Sequence, residues 1–167
     1  MTLRGAGLRL AAAVIAADLA TKLVAYDMLF SPPRQIVVTG FLNLTPVWNR
    51  GVSFGLLAND SPYGPYLLSG FALAVCAVIW WWLGRAENRV VALGLGAVLG
   101  GAAGNVIDRL RFGAVVDFID VHVAGWHWPA FNLADAAISL GVAALLADGL
   151  FARRDGGNKG RSGKEAP

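Results

Sequence analysis

The sequence predicts a mainly α-helical membrane protein with four transmembrane helices and a small extracytoplasmic β-sheet segment, and three observations predict it. Of 167 residues, 56% are hydrophobic and 15% charged, with a mean hydropathy of +0.56, so there are too few charges to cover a water-solvated surface. Four stretches approach the roughly 20 apolar residues that one bilayer crossing needs, and together they leave little chain for a second domain. The basic residues are shared unequally between the two sides that four crossings would create.

The first span is placed at about 8–26. Arg4 and Arg9 ahead of the short apolar run Leu10 to Ala17 also fit the start of a secretory signal peptide, but apolar character resumes after Asp18 and continues to Tyr26, which favours a helix. The second span, about 61–84, has no charge from Ser61 to Gly84 and carries Tyr63 and Tyr66 at one end and Trp80, Trp81 and Trp82 at the other, the aromatic belt of two membrane interfaces. The third, about 90–107, places Gly96, Gly100 and Gly104 at four-residue spacing, a small face for close helix packing. The fourth, about 131–151, has Asp135 near its start and Asp148 near its end. Between the first two spans, Gln35 to Thr39 and Phe41 to Thr45 are β-branched and partly alternating, broken by Pro32, Pro33, Gly40 and Pro46. The outer segment of about 31–58 is therefore expected to form a small sheet lying on the membrane. Residues 1–152 make a single integral membrane domain, and the Gly-, Ser- and Lys-rich tail 153–167 is expected to be disordered and cytoplasmic. No internal repeat is visible.

Four spans put both termini on one side together with nine of the 14 basic residues (Arg4, Arg9, Arg85, Arg89, Arg153, Arg154, Lys159, Arg161 and Lys164), against Arg34, Arg50, Arg109 and Arg111 on the other. The positive-inside rule makes the termini and the Arg85 to Arg89 turn cytoplasmic and turns 27–62 and 108–131 outward. The net charge of +3 thus reports topology, not nucleic acid.

The chemistry is expected where acids meet the membrane. Asp108 ends the third span, Asp135 begins the fourth, and Asp117 lies in the short loop joining them, so three carboxylates converge at one outer level. An ionisable group in a span costs about 2.5–3.5 kcal/mol on insertion scales and is a functional candidate by default. The plainer reading for Asp108 is an interfacial pair with Arg109 or Arg111. Two carboxylates close together cannot both ionise readily, so one keeps its proton while the other takes one from water, the arrangement needed to attack an amide. Asp18 and Lys22, at i and i+4, can pair on one face of the first helix. Asn105 precedes Asp108 by three and Asn132 precedes Asp135 by three, so each acid has an amide one turn before it that can orient a carboxylate or bind substrate backbone.

Other constellations carry less. Gly51-Val-Ser-Phe-Gly55 matches a nucleophile elbow, but that motif needs a large parallel α/β sheet and a histidine partner. His122 and His127 are five apart, without the spacing of helical zinc ligands, and read as interfacial residues beside Trp126 and Trp128. The single cysteine, Cys76, lies mid-span, which excludes an internal disulfide and disfavours a thiolate. Neither a metal nor a cofactor is expected.

Five blocks, Asp18-Leu-Ala-Thr-Lys22, Asn49-Arg-Gly-Val-Ser-Phe-Gly55, Gly104-Asn-Val-Ile-Asp-Arg109, Val115-Val-Asp-Phe-Ile119 and Phe131-Asn-Leu-Ala-Asp135, run in order across nearly the whole chain outside the tail. Together the sequence resembles bacterial lipoprotein signal peptidase, signal peptidase II. The resemblance implies a four-helix aspartyl endopeptidase of the bacterial inner membrane that removes signal peptides from prolipoproteins by cutting before a diacylglyceryl-modified cysteine; the topology above puts its active site at the outer face. It implies that Asp117 and Asp135 are the catalytic pair, a choice that spacing alone does not make between Asp117 and Asp108. Asp18, Lys22, Asn49, Gly51, Asn105, Asp108, Arg109, Asn132 and Ala134 are the supporting or substrate-binding residues it points to. Leu19 departs from the glutamine usual in the family. The expected partners are the lipidated prolipoproteins and membrane lipid, with the protein a monomer. A small proton-coupled transporter is the alternative, although it would place its acids at the midplane, and a structural membrane partner would have no use for convergent carboxylates.

Overall fold

The computed structural model describes residues 2–51 and 63–159, with 151–159 as backbone. In chain order the elements are α1 (Leu3–Leu29), β1 (Ile36–Thr39), β2 (Leu42–Asn49), α2 (Gly64–Leu83), α3 (Arg89–Phe112), β3 (Val115–Val123), β4 (Trp126–His127) and α4 (Leu133–Lys159). Among the described residues, α2, α3 and the 133–150 part of α4 are long and apolar enough to cross a membrane. α1 is as long, but Arg4, Arg9, Asp18, Lys22 and Asp27 spread charge along it, so length and composition alone do not qualify it.

α3 is the centre of the bundle, with α1, α2 and α4 packed around it. Its small residues make this possible. A Cβ at Gly100 would stand 2.7 Å from the Ala11 carbonyl oxygen of α1, and one at Gly94 would stand 3.1 Å from the Gly141 carbonyl oxygen of α4, so glycine lets both backbones approach. The Gly96, Gly100, Gly104 stripe faces α1, against Gly7, Ala11 and Asp18. Asn88 starts α3 by accepting a hydrogen bond from the Val91 N–H, and Gly113 ends it in the left-handed conformation.

The buried face of α1 carries Gly7, Ala11, Asp18, Lys22, Ala25 and Leu29, while Leu23 and Val24 are exposed. That is the reverse of a soluble amphipathic helix, with polar groups inside and branched aliphatics outside. α2 follows the same rule, exposing Leu67, Phe71, Leu73 and Val78. At one end of the bundle, Arg4 lies over the Trp80 ring and Arg85 over the Trp81 ring, at 4.9 and 3.8 Å.

At the other end stands a four-stranded antiparallel sheet in the order β1-β2-β3-β4. The sequence places strands only in about 31–58, of which 52–58 fall outside the described residues, and treats the stretch around Asp117 as a loop. The structure corrects this. α3 continues to Phe112, and β3 and β4 form a hairpin whose turn residues, Ala124 and Gly125, both have positive φ, at 50° and 83°. Val115 to Val123 is rich in β-branched residues, so propensity favoured a strand. What the sequence could not supply was β2 as its partner, with Val47 opposite Asp117 and Asn49 opposite Val115. α4 begins at Leu133 rather than 131 and stays helical to Lys159, past the point where the tail was expected to lose structure; 160–167 lie outside the described residues.

Candidate active site

Three elements meet where α3 ends, α4 begins and β3 crosses between them. Asn132 caps α4: its side-chain oxygen accepts from the Asp135 N–H at 3.0 Å, and its own N–H donates to Asp135 Oδ2 at 3.2 Å, the reciprocal bonds of a capping box. Its side-chain amide nitrogen then donates to Asp117 Oδ1 at 2.7 Å. One asparagine therefore ties the two carboxylates together. Asn105 of α3 adds a second tie, donating from Nδ2 to Asp135 Oδ1 at 2.8 Å while its oxygen accepts from Asn132 Nδ2 at 3.2 Å.

Asp117 is buried at 1% exposure, because β3 turns it toward the helices, and its second oxygen accepts from Asn49 Nδ2 at 2.9 Å. Burial first, and the neighbouring Asp135 second, push the Asp117 carboxyl from 3.8 up to about 7, against the lowering effect of its Asn49 and Asn132 donors. A carboxyl that titrates near neutrality can accept and return a proton under physiological conditions. Asp135 is half-buried and lines a groove of about 490 Å³ with Trp128, Pro129, Phe131, Ala136, Ser139 and Leu140. The site thus opens sideways along an apolar face of α4.

The outer strand is fastened to the same place. The Gly51 N–H donates to Asn49 Oδ1 at 3.1 Å, which turns the Asn49 amide nitrogen toward Asp117, and the Gly51 carbonyl accepts from Arg109 at 3.3 Å. Arg109 also donates to the Asn105 carbonyl at 3.5 Å, while its Nε is buried without a partner among the described residues. Ser53 and the rest of the elbow-like motif lie outside the described residues.

Asp108 is engaged elsewhere. Its Oδ2 lies 2.9 Å from Lys22 Nζ and accepts from the Val116 N–H at 3.1 Å, so it fastens α1 and β3 to α3. The interfacial pair with Arg109 or Arg111 suggested by sequence proximity is not what its carboxylate makes. Asp18 and Lys22 pair as their spacing suggests, at 2.7 Å, and Asp18 Oδ1 accepts from the Ala134 N–H at 3.0 Å. Ala134 is fully buried against Gly101, whose Cβ would collide with the Ala134 carbonyl. All three acids, both asparagines and the Asp18–Lys22 pair thus belong to one connected assembly.

Sequence reasoning missed a neighbouring polar cluster. Asp120 accepts from Asn43 at 3.1 Å and pairs with His127 Nδ1 at 2.7 Å, and the His127 ring stacks on His122 at 4.8 Å. Burial would raise the Asp120 carboxyl, but its bonds to His127 and Asn43 outweigh that and hold it below its ordinary value. Only the β2–β3 register, with Asn43 opposite Asp120, could have revealed it.

The fold is shared with membrane enzymes. A bacterial membrane enzyme solved by the in meso method at 2.3 Å resolution superposes with a TM-score of 0.72 at 26% identity, covering 98% of this chain and 95% of that one. A second, at 1.9 Å, gives 0.70 at 26% identity over 86% and 92%. The family described as signal peptidase (SPase) II matches residues 10–151. The lipoprotein signal peptidase of Methylobacterium sp. (strain 4-46) is 44% identical over 151 residues, 90% of this chain and 92% of that protein. The one from Methylorubrum extorquens (strain PA1) is 41% identical over 153 residues, 90% and 88%. The one from Burkholderia mallei (strain SAVP1) is 44% identical over 138 residues, 82% of each.

This chain therefore belongs to the signal peptidase II family, the membrane-embedded peptidases that process the signal peptides of prolipoproteins.

Proposed function

We propose that the protein is an intramembrane aspartyl endopeptidase that cleaves prolipoproteins before a diacylglyceryl-modified cysteine, with Asp117 and Asp135 activating water. The observation that carries this reading is Asn132, which hydrogen-bonds both carboxylates at once at the mouth of an apolar groove. The dyad enters with one proton. The ionised carboxylate takes a proton from water as its oxygen attacks the scissile carbonyl carbon, and the protonated one hydrogen-bonds the carbonyl oxygen. When the tetrahedral intermediate collapses, the C–N bond breaks and a dyad proton goes to the leaving amine of the cysteine. Arg109, Asn49 and Gly51 border the path and bind substrate backbone. No metal or cofactor takes part.

The exposed Leu23 and Val24 on α1 support counting it as a fourth span, because the two charges in its middle, Asp18 and Lys22, are turned inward. With the unequal placement of basic residues, this supports reading the protein as one inner-membrane domain with cytoplasmic termini and with sheet and dyad at the outer face, and we take it to act as a monomer. The groove beside Asp135 suits an acyl chain that stays in the bilayer while the amide reaches the carboxylates, so lipid positions the substrate rather than adding bulk affinity. The test is cleavage by purified protein of a lipobox peptide with and without its diacylglyceryl group, at equal membrane concentration. Cleavage of the lipidated peptide alone is expected; equal rates would remove lipid recognition, and no cleavage of either would remove the activity.

A further inference from the structure

Lys22 makes three contacts: ion pairs with Asp18 Oδ2 at 2.7 Å and Asp108 Oδ2 at 2.9 Å, and a hydrogen bond that it donates to Asn105 Oδ1 at 3.0 Å. The first two make a buried lysine tolerable. The third is different, because an ammonium already shared by two carboxylates needs no neutral acceptor for charge balance. Asn105 Oδ1 accepts from Lys22 and from Asn132, which occupies both of its lone pairs. An amide held by two donors at its oxygen has one orientation left, with Nδ2 on Asp135 Oδ1.

We infer that Lys22 is a positioning residue for the dyad, fixing the Asn105 amide so that it holds Asp135 in its working orientation from the far side of α3. The inference rests on the Asp117–Asp135 reading above. The ionisable groups around this path are Asp18 and Lys22 on α1, Asp108 and Arg109 on α3, Asp117 on β3 and Asp135 on α4. The Lys22 cation also acts on Asp117 directly, lowering its pKa from what burial and Asp135 would otherwise set. Removing Lys22 therefore has two consequences: Asp135 loses its held orientation, and the proton on Asp117 is harder to remove.

The experiment compares Lys22→Met, Asn105→Ala and the double variant in the full-length enzyme, reading kcat, KM and the pH profile of kcat/KM on a lipidated peptide. Lys22→Met is expected to lower kcat roughly 10²-fold, as a misplaced catalytic group does, with KM little changed. Its acidic limb should move to higher pH. With kcat compared at each variant's pH optimum, the double variant should cost little more than either single one, since the orientation of Asp135 depends on one amide, while the shift of the acidic limb should follow Lys22→Met. If Lys22→Met does not accumulate as folded protein, Asp18→Asn with Lys22→Met, which buries less unpaired charge, carries the same readouts. A wild-type kcat and pH limb in folded Lys22→Met, additive losses, or a fully active Asn105→Ala would each overturn the inference. Its failure is distinct from failure of the dyad: there, Asp117→Asn and Asp135→Asn would themselves remain active.

Discussion

Asn132 and Asp135 cap α4 reciprocally, each donating its backbone N–H to the side chain of the other, at 3.2 and 3.0 Å. The device that starts the helix is also the device that sets a carboxylate, so folding of α4 and orientation of the site cannot be separated. The Asn132 amide nitrogen is left over, and it donates to both Asp117 and Asn105.

Asn132→Ala should therefore fail twice. Loss of the cap should cost about 0.5–2 kcal/mol of stability, and loss of the bridge should lower kcat on the order of 10²-fold with KM little changed. Thermal unfolding in detergent and steady-state cleavage read the two effects separately. A drop in stability with kcat preserved would leave Asn132 as a cap alone.

Asp117 makes a pH prediction with a definite sign. Its carboxyl titrates at about 7 in the folded protein against 3.8 as the reference, so the folded state holds a proton that the unfolded chain has released. Its contribution to stability is complete below about 4 and is lost as pH rises through about 7. The unfolding midpoint should fall across that window, and Asp117→Asn should flatten the fall. An identical slope in the variant would mean that Asp117 ionises normally.

Gly101 faces Ala134, with no room for a methyl group between α3 and the first turn of α4. Gly101→Ala should push apart the helices that carry Asn105 and Asp135, costing about 1–3 kcal/mol as overpacking does and lowering activity along with stability. Gly149→Ala, where nothing lies within 4 Å of the added carbon, is the control and should leave activity unchanged without lowering stability, since alanine suits a helix interior better than glycine. Equal effects of the two would show that the α3–α4 contact is looser than the structure gives it.

Much of this was legible in the sequence. The apolar runs of the second, third and fourth helices marked them as spans, because a stretch of such length with no charge, or with acids only near its ends, has few other uses. Asp18 and Lys22 were legible as a pair, since a helix fixes the geometry of residues four apart. What was not legible depended on contacts between distant residues. The Lys22 bridge to Asp108 spans α1 and α3, the Asn49 bond to Asp117 needs β2 beside β3, and the hold of Ala134 on Asp18 joins α1 to the first turn of α4. Asp108 and Asp117 could not be ranked by spacing alone; the register of β3 turns Asp117 to the dyad and leaves Asp108 to bind Lys22 and the Val116 N–H.

Orientation in the membrane follows from the basic residues. Reporters fused after Gly84, or after Arg154 in the tail, should be cytoplasmic, and those in 27–62 or 108–131 extracytoplasmic. An external reporter after Arg154 would put the dyad on the wrong face for an exported substrate.

The central claim is that Asp117 and Asp135 act as one catalytic unit. It is tested most directly by the kcat of Asp117→Asn, Asp135→Asn and the double variant on a lipidated peptide, with Asp108→Asn alongside and folded protein quantified in each. Each single change should cost on the order of 10⁴-fold or more, and the double change little beyond that, because residues that share one proton and one water are not additive. Asp108→Asn should keep measurable turnover in whatever fraction folds, since its carboxylate serves Lys22 and the Val116 N–H. An active Asp117→Asn beside a folded but inactive Asp108→Asn would contradict the account and move the dyad to Asp108 and Asp135.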